Sequence, residues 1–215
     1  DMVLGMYYLT KARTGDKGEG MRFSGISEVR QAYDQRIVAL HAKIKLRIED
    51  GLVIDTTVGR AIFNEIVPNE LGYVNEVLTK KNMRGIIARV FAATDYPTTA
   101  KFLDELKNLG FTQATLGGLS FSVSDIVVPD AKHELIDQAE RQVSEVRESW
   151  EHGIITENER YNRVIDIWSS TNNRVSEVLF DSLAHDREGF NAIYMMADSG
   201  ARGSREQIRQ LGGMR

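Results

Sequence analysis

From Asp130 onward the apolar residues of this 215-residue chain fall on a helical period and stay on it. Leu135, Ala139, Val143, Val146 and Trp150 are spaced three or four apart, which lines them along one stripe of a helix. About 20 residues at 1.5 Å each give that helix a length of about 30 Å. Gly153 ends it. Thr156-Glu157-Asn158-Glu159 then reads as a capping box: the Thr156 hydroxyl accepts from the Glu159 amide and the Glu159 carboxylate reaches back. A second stripe follows at Tyr161, Val164, Trp168, Thr171, Val175 and Val178. Two helices of similar length joined by a short turn make an antiparallel hairpin. Both stripes are narrow, so the pair is able to seal against itself in solvent or to sit in a bundle core. Its tip, "HGIITENERYNR", is polar and suits a docking surface.

Charge singles out the same segment. The chain carries a net −4, which argues against its binding nucleic acid alone. Residues 130–181 hold 12 acidic and 6 basic residues, so the remainder sums to +2. The hairpin should repel phosphate backbones and favour basic partners. There is no cysteine, hence no disulfide framework and no thiolate metal site, which fits a reducing, cytoplasmic setting. His41, His133, His152 and His185 have no ligand spacing and are expected to be surface or satisfied residues. No apolar run is long enough to cross a membrane. The opening "DMVLGMYYLT" and the closing "LGGMR" lack loose polar tails, and an excised segment is the expectation.

Before the hairpin, the chain reads as a small α+β domain, and the whole as mostly helical α+β. Residues 1–35 look irregular, with a loop through "TKARTGDKGEGMRFSG". "HAKIKLRI" alternates as a strand with Ala42, Ile44, Leu46 and Ile48 on one face. "DGLVIDTT" is its hairpin partner, turning at Asp50-Gly51. Thr56 or Thr57 caps a short helix through "VGRAIFNEIV", which Pro68 stops. Two helices follow. One carries Met83, Ile86, Ile87, Val90 and Phe91; the other carries Phe102, Leu103, Leu106 and Leu109, with Gly110 as its C-terminal cap. "GLSFSVSDIVVP" alternates again and is expected to be a strand.

Near the end, "SGARGSREQIRQL" sets three small turn-formers around Arg202, before a helical pattern. A Walker-type phosphate loop needs a Gly-Lys-Ser/Thr that is absent here. Ser204 and Gln207 form a capping box. Exposed amides at a helix start, with Arg202 beside them, also make an anion site, and both readings hold together.

These stretches resemble the bacterial RNA polymerase β′ subunit family. The likeness is carried by "YMMADSGARGSREQIRQLGGMR", "GIITENERYNRVIDIW", "LHAKIKLRI", "DTTVGRAIFNEIVP" and "DMVLGMYYLT", in order from Asp1 to Arg215. The resemblance implies the segment between the metal-bearing active centre and the bridge helix. It implies a pore domain over residues 1–128 and a funnel domain over 129–215, with rim helices at about 130–181. Together they would form the secondary channel through which nucleoside triphosphates (NTPs) enter. Arg202 matches an arginine that the family places near the incoming triphosphate. Arg209 is a weaker candidate for the same path and could instead hold the loop. Glu159, Arg160, Asn162, Arg163 and Asp166 match the face on which channel-inserting transcription factors dock. With such a factor, Asn162 and Arg163 would face the phosphates of ppGpp, although a lysine is common where Arg163 stands.

The resemblance further implies a DNA-directed RNA polymerase, a nucleotidyltransferase, as the parent enzyme. Its Mg2+ and Zn2+ would lie outside this segment, which would have no catalytic residue, no cofactor and no activity by itself. The implied partners are the β, α, ω and σ subunits, with DNA and RNA met only through the complex and no membrane. A free-standing helical-hairpin adaptor and a small nucleotide-binding enzyme are the alternatives. A segment of a larger enzyme should expose apolar side chains near its ends, with Met195, Met196, Leu211 and Met214 as candidates.

Overall fold

The computed structural model describes residues 1–48 and 51–215. Among them nine α-helices accompany one three-stranded sheet, the mostly helical α+β class read from the sequence. They form two compact units, one of Asp1–Ser120 with Met195–Arg202 and one of Phe121–Tyr194 with Gly203–Arg215.

The first unit opens on helix α1 (Met2–Thr10), where an irregular segment was expected. The sequence gives no helical period because "MVLGMYYLT" is apolar on nearly every side. Such a helix is buried all round. Leu4, Met6, Tyr7 and Leu9 are all buried. Residues 11–21 do form the expected loop. A short strand β1 (Arg22–Phe23) and helix α2 (Ile26–Asp34) then complete the stretch read as irregular. Strands β2 (Lys43–Arg47) and β3 (Val53–Thr57) pair antiparallel, Ile44 opposite Thr56 and Leu46 opposite Ile54, as expected. β1 adds to β2 in parallel. Ile44 and Leu46 enter the core, and Lys45 on the other face binds Asp55 across the ladder at 2.8 Å. Gly51 has the positive φ of a turn residue, while Asp50 lies outside the described residues.

Thr57 caps α3 (Val58–Asn64) by accepting from the Arg60 amide. Thr79 caps α4 (Lys80–Ala93), and Asp95 caps α5 (Tyr96–Gly117). Met83, Ile86 and Val90 of α4 are buried with Phe102 and Leu106 of α5, as the stripes require; Phe91 and Leu103, read in the same stripes, are exposed. Gly110 does not end its helix. It lies inside α5, and the left-handed C-terminal cap is Gly118. Its lack of a side chain serves packing. A Cβ on Gly5 of α1 would sit 1.9 Å from the Gly110 carbonyl oxygen, and one on Gly110 would sit 2.8 Å from the Met2 carbonyl oxygen.

The second unit begins with the other correction. Val123–Asp125 is a 3₁₀ turn, with no strand among the described residues of 118–129. Ser122 caps the turn, and its hydroxyl meets that of Ser124, instead of lining a sheet face. Ser122 and Asp125 form a capping box, leaving Phe121 and Val123 exposed. Helices α6 (Ala131–Glu151) and α7 (Glu157–His185) make the hairpin, joined by residues 152–156 and packed on each other. Ala139, Thr171 and Val175 are buried in it, and Leu179 and Leu183 continue the α7 stripe. Towards the tip burial fades: Trp150, Ile154, Tyr161 and Ile165 are exposed.

After α7, Arg187 and Glu188 take positive φ and pass the chain to the buried Asn191. The Asn191 amide donates to the Asp125 carbonyl and to the Asp186 carboxylate, both at 2.8 Å. Arg187 binds the Asp125 carboxylate at 2.8 Å. Helices α8 (Ala192–Asp198) and α9 (Arg205–Gly212) close the chain. Of the methionines expected at the surface, Met195 is buried within the first unit, because α8 turns it inward; Leu211 is exposed as expected.

The glycine contact yields a test. Gly5→Ala should destabilise the chain by about 1–3 kcal/mol through backbone overlap. Gly85→Ala, in open space on α4, should stabilise it by about 0.4–1 kcal/mol. Chemical denaturation of the two variants measures both signs.

Candidate functional site

In the first unit, α8 ends in a tight reversal. Ser199 is fully buried; its hydroxyl donates to the Met196 carbonyl at 3.1 Å and accepts from the Ala201 amide at 3.3 Å. Its carbonyl accepts from the Lys80 amide at 2.8 Å, tying the loop to the start of α4. Gly200 takes φ +71°, with the Lys80 side chain 3.3 Å from where its Cβ would be. The Arg202 amide donates to the Met196 carbonyl at 3.2 Å. Arg202 itself is exposed, and no described carboxylate pairs with its guanidinium. The result is a free cation on a well-tied backbone, the arrangement an anionic ligand needs.

In the second unit, Ser204 and Gln207 form the expected capping box on α9. Arg209 differs from Arg202. It is largely buried and pairs with Glu206 one turn earlier, and its Nε has no hydrogen-bond partner. That bond holds the Glu206 carboxyl below the usual carboxylate range. Arg205 lies over the Phe180 ring, 4.6 Å from its centroid.

At the hairpin tip, the Thr156 box is present in both directions. The Thr156 amide donates to the Glu159 carboxylate at 2.9 Å, and this bond, with one from the Thr156 hydroxyl, holds the Glu159 carboxyl below its ordinary value. Arg160 pairs with Glu157 and lies 5.2 Å from the Trp150 ring centroid. Sequence spacing had placed Trp150 in the helical stripe only. At about 100° per residue, Glu159, Asn162, Arg163 and Asp166 share one face of α7, and Arg160 is turned aside from it. All four are exposed. The structure therefore gathers four of the five residues expected on this face and occupies the fifth in a local cluster.

Among the described residues no group of three or more His, Asp or Glu is placed to hold a metal ion, and no helix is long and apolar enough to cross a membrane.

Residues 1–126 match the family described as RNA polymerase Rpb1, domain 3, and residues 155–215 match RNA polymerase Rpb1, domain 4. The chain belongs to the RNA polymerase Rpb1 family. It is similar to the DNA-directed RNA polymerase subunit beta′ of Salinibacter ruber, with 61% identity covering 100% of this chain and 15% of that relative. The subunits of the same name from Parabacteroides distasonis and Bacteroides fragilis are 48% and 49% identical, again across 100% of this chain and 16% of theirs. The chain thus spans about a sixth of the length of these Rpb1-family relatives. Membership displaces the adaptor and small-enzyme alternatives.

The tip makes a prediction about pH. Glu159 has a depressed folded pKa, so its capping contribution is complete above the ordinary value of 4.5 and is lost as pH falls through the lower folded value. The protection of the Thr156 amide, its exchange rate set against that of an unstructured peptide at the same pH, should therefore fall in acid. In Glu159→Gln, which keeps an acceptor without a charge, that acid step should vanish.

Proposed function

We propose that this chain is the secondary-channel segment of a bacterial DNA-directed RNA polymerase: residues 1–128 the pore, 129–215 the funnel, and the α6–α7 hairpin the rim. Family membership supports the setting. The observation that carries the reading is the exposed guanidinium of Arg202, unpaired among the described residues, on a loop whose backbone is tied at Met196 and Lys80. In a narrow channel such a cation raises the local concentration of NTPs and holds the triphosphate before it reaches the metals. Arg209 is paired with Glu206 one turn earlier on α9, so the triphosphate contact is assigned to Arg202 ahead of it.

The exposed face Glu159, Asn162, Arg163 and Asp166 is the docking surface for channel-inserting factors, and Asn162 with Arg163 supplies donors for ppGpp. Arg163 binds phosphate as a planar fork, where a lysine would act as a point charge. The Mg2+ that would supply the chemistry, and the Zn2+, would be held by residues outside this segment, which alone turns over no nucleotide. The β, α, ω and σ subunits complete a cytoplasmic enzyme that meets DNA and RNA as a whole.

In the assembled polymerase, Arg202→Ala should raise the apparent KM for NTPs about tenfold, the worth of one charge-assisted hydrogen bond, and change the saturating rate less. An unchanged KM removes Arg202 from the path. Asp166→Arg should weaken a channel-inserting factor about tenfold in direct titration. Arg202→Ala should leave that affinity as it was. If Asp166→Arg also leaves it as it was, the α7 face is not the dock.

A further inference from the structure

Asp198 is oddly placed. It is the last residue of α8, where a carboxylate opposes the partial negative charge of the helix end. Its partners explain the position. The Tyr7 hydroxyl, from the buried centre of α1, donates to Asp198 Oδ2 at 2.6 Å. Lys11, the residue that caps the end of α1, donates from Nζ to the same Tyr7 oxygen at 3.2 Å and lies 5.2 Å from the Tyr7 ring centroid. Burial lowers the Lys11 pKa and the Asp198 carboxylate acts to raise it, so the two charges are close enough to feel each other. Tyr7 is only 2% exposed, which leaves its hydroxyl little freedom to choose another partner. These groups lie 191 residues apart in sequence and belong to one compact unit.

Asp198 is followed immediately by the Ser199–Arg202 reversal. We infer that Tyr7, Asp198 and Lys11 are positioning residues for Arg202: they pin the end of α8, and so set where the guanidinium four residues later stands. The inference rests on the reading of Arg202 as a triphosphate contact. A second consequence concerns charge. Asp198 is the carboxylate that precedes Arg202 in the chain, and its Oδ2 is engaged by the Tyr7 hydroxyl instead of by that cation.

The test uses the assembled polymerase and reads the loop and the chemistry separately. Hydrogen exchange at the amides of Ser199, Gly200 and Arg202 should quicken about tenfold in Tyr7→Phe and in Asp198→Ala. Asp198→Asn, which retains an acceptor for the Tyr7 hydroxyl, should stay near the parent and control for misfolding. The apparent KM for NTPs should rise with the exchange rate while kcat holds. In an Arg202→Ala background, Tyr7→Phe should add no further rise. Unchanged exchange in both Tyr7→Phe and Asp198→Ala overturns the clamp, and so does a full additional KM effect on top of Arg202→Ala. If the loop loosens but Arg202→Ala has no KM effect, the clamp stands and the triphosphate reading of Arg202 falls.

Discussion

Helix α1 comes closer to its neighbours than any side chain would allow, and the first unit is arranged around that approach. Gly5 meets the backbone of α5 at Gly110, and Gly59 of α3 lies where a Cβ would be 1.8 Å from the Leu9 carbonyl oxygen. Contact at backbone distance replaces side-chain volume with dispersion over long helix surfaces. It also places polar groups at the end of α1 within reach of several partners. The Thr10 hydroxyl accepts from the Leu78 amide at 2.9 Å, and the Thr10 carbonyl accepts from Arg60 at 3.0 Å. The link into α4 and the start of α3 are thus fixed by one residue of α1, and α4 in turn ties the reversal at Ser199.

That architecture explains what the sequence disclosed. Patterns with a period were legible: the β2–β3 pair, the buried residues of α4, and the hairpin stripes away from the tip, where Trp150 and Tyr161, read in them, are exposed. So were the caps, because a capping box is a contact between residues three apart. α1 was hidden because burial on every side leaves no period to find. Gly110 misled because a glycine needed for close approach and one needed for a left-handed cap look alike in one dimension. The serines of 120–124 imitated strand alternation while satisfying a 3₁₀ turn. At the candidate sites, Arg202 and the α7 face were legible as residues. The Tyr7–Asp198 bond was not, because no local signal joins residues 191 apart.

The hairpin divides its interactions by position. Near its base, Val175, Leu179 and Leu183 are buried, and Asn191 with Arg187 holds the preceding turn. Near its tip order comes from contacts within about ten residues: the Thr156 box, the Glu157–Arg160–Trp150 cluster and the buried Ile155. Local contacts of this kind are individually weak in water and screened by salt. They are nevertheless sufficient to fix the helix start, and of the adjacent face they engage Glu159 alone.

The same reasoning separates the arginines. Arg160 and Arg209 each have a glutamate three residues earlier on a helix, and each is paired with it. Helical spacing alone neutralises them. Arg202 follows a reversal, where that spacing no longer brings side chains together, and the carboxylates four residues to either side, Asp198 and Glu206, are engaged by Tyr7 and Arg209. A guanidinium meant for an external anion has to be kept from internal ones. In this chain that is achieved by ending a helix four residues before it and by engaging the acid left at the helix end.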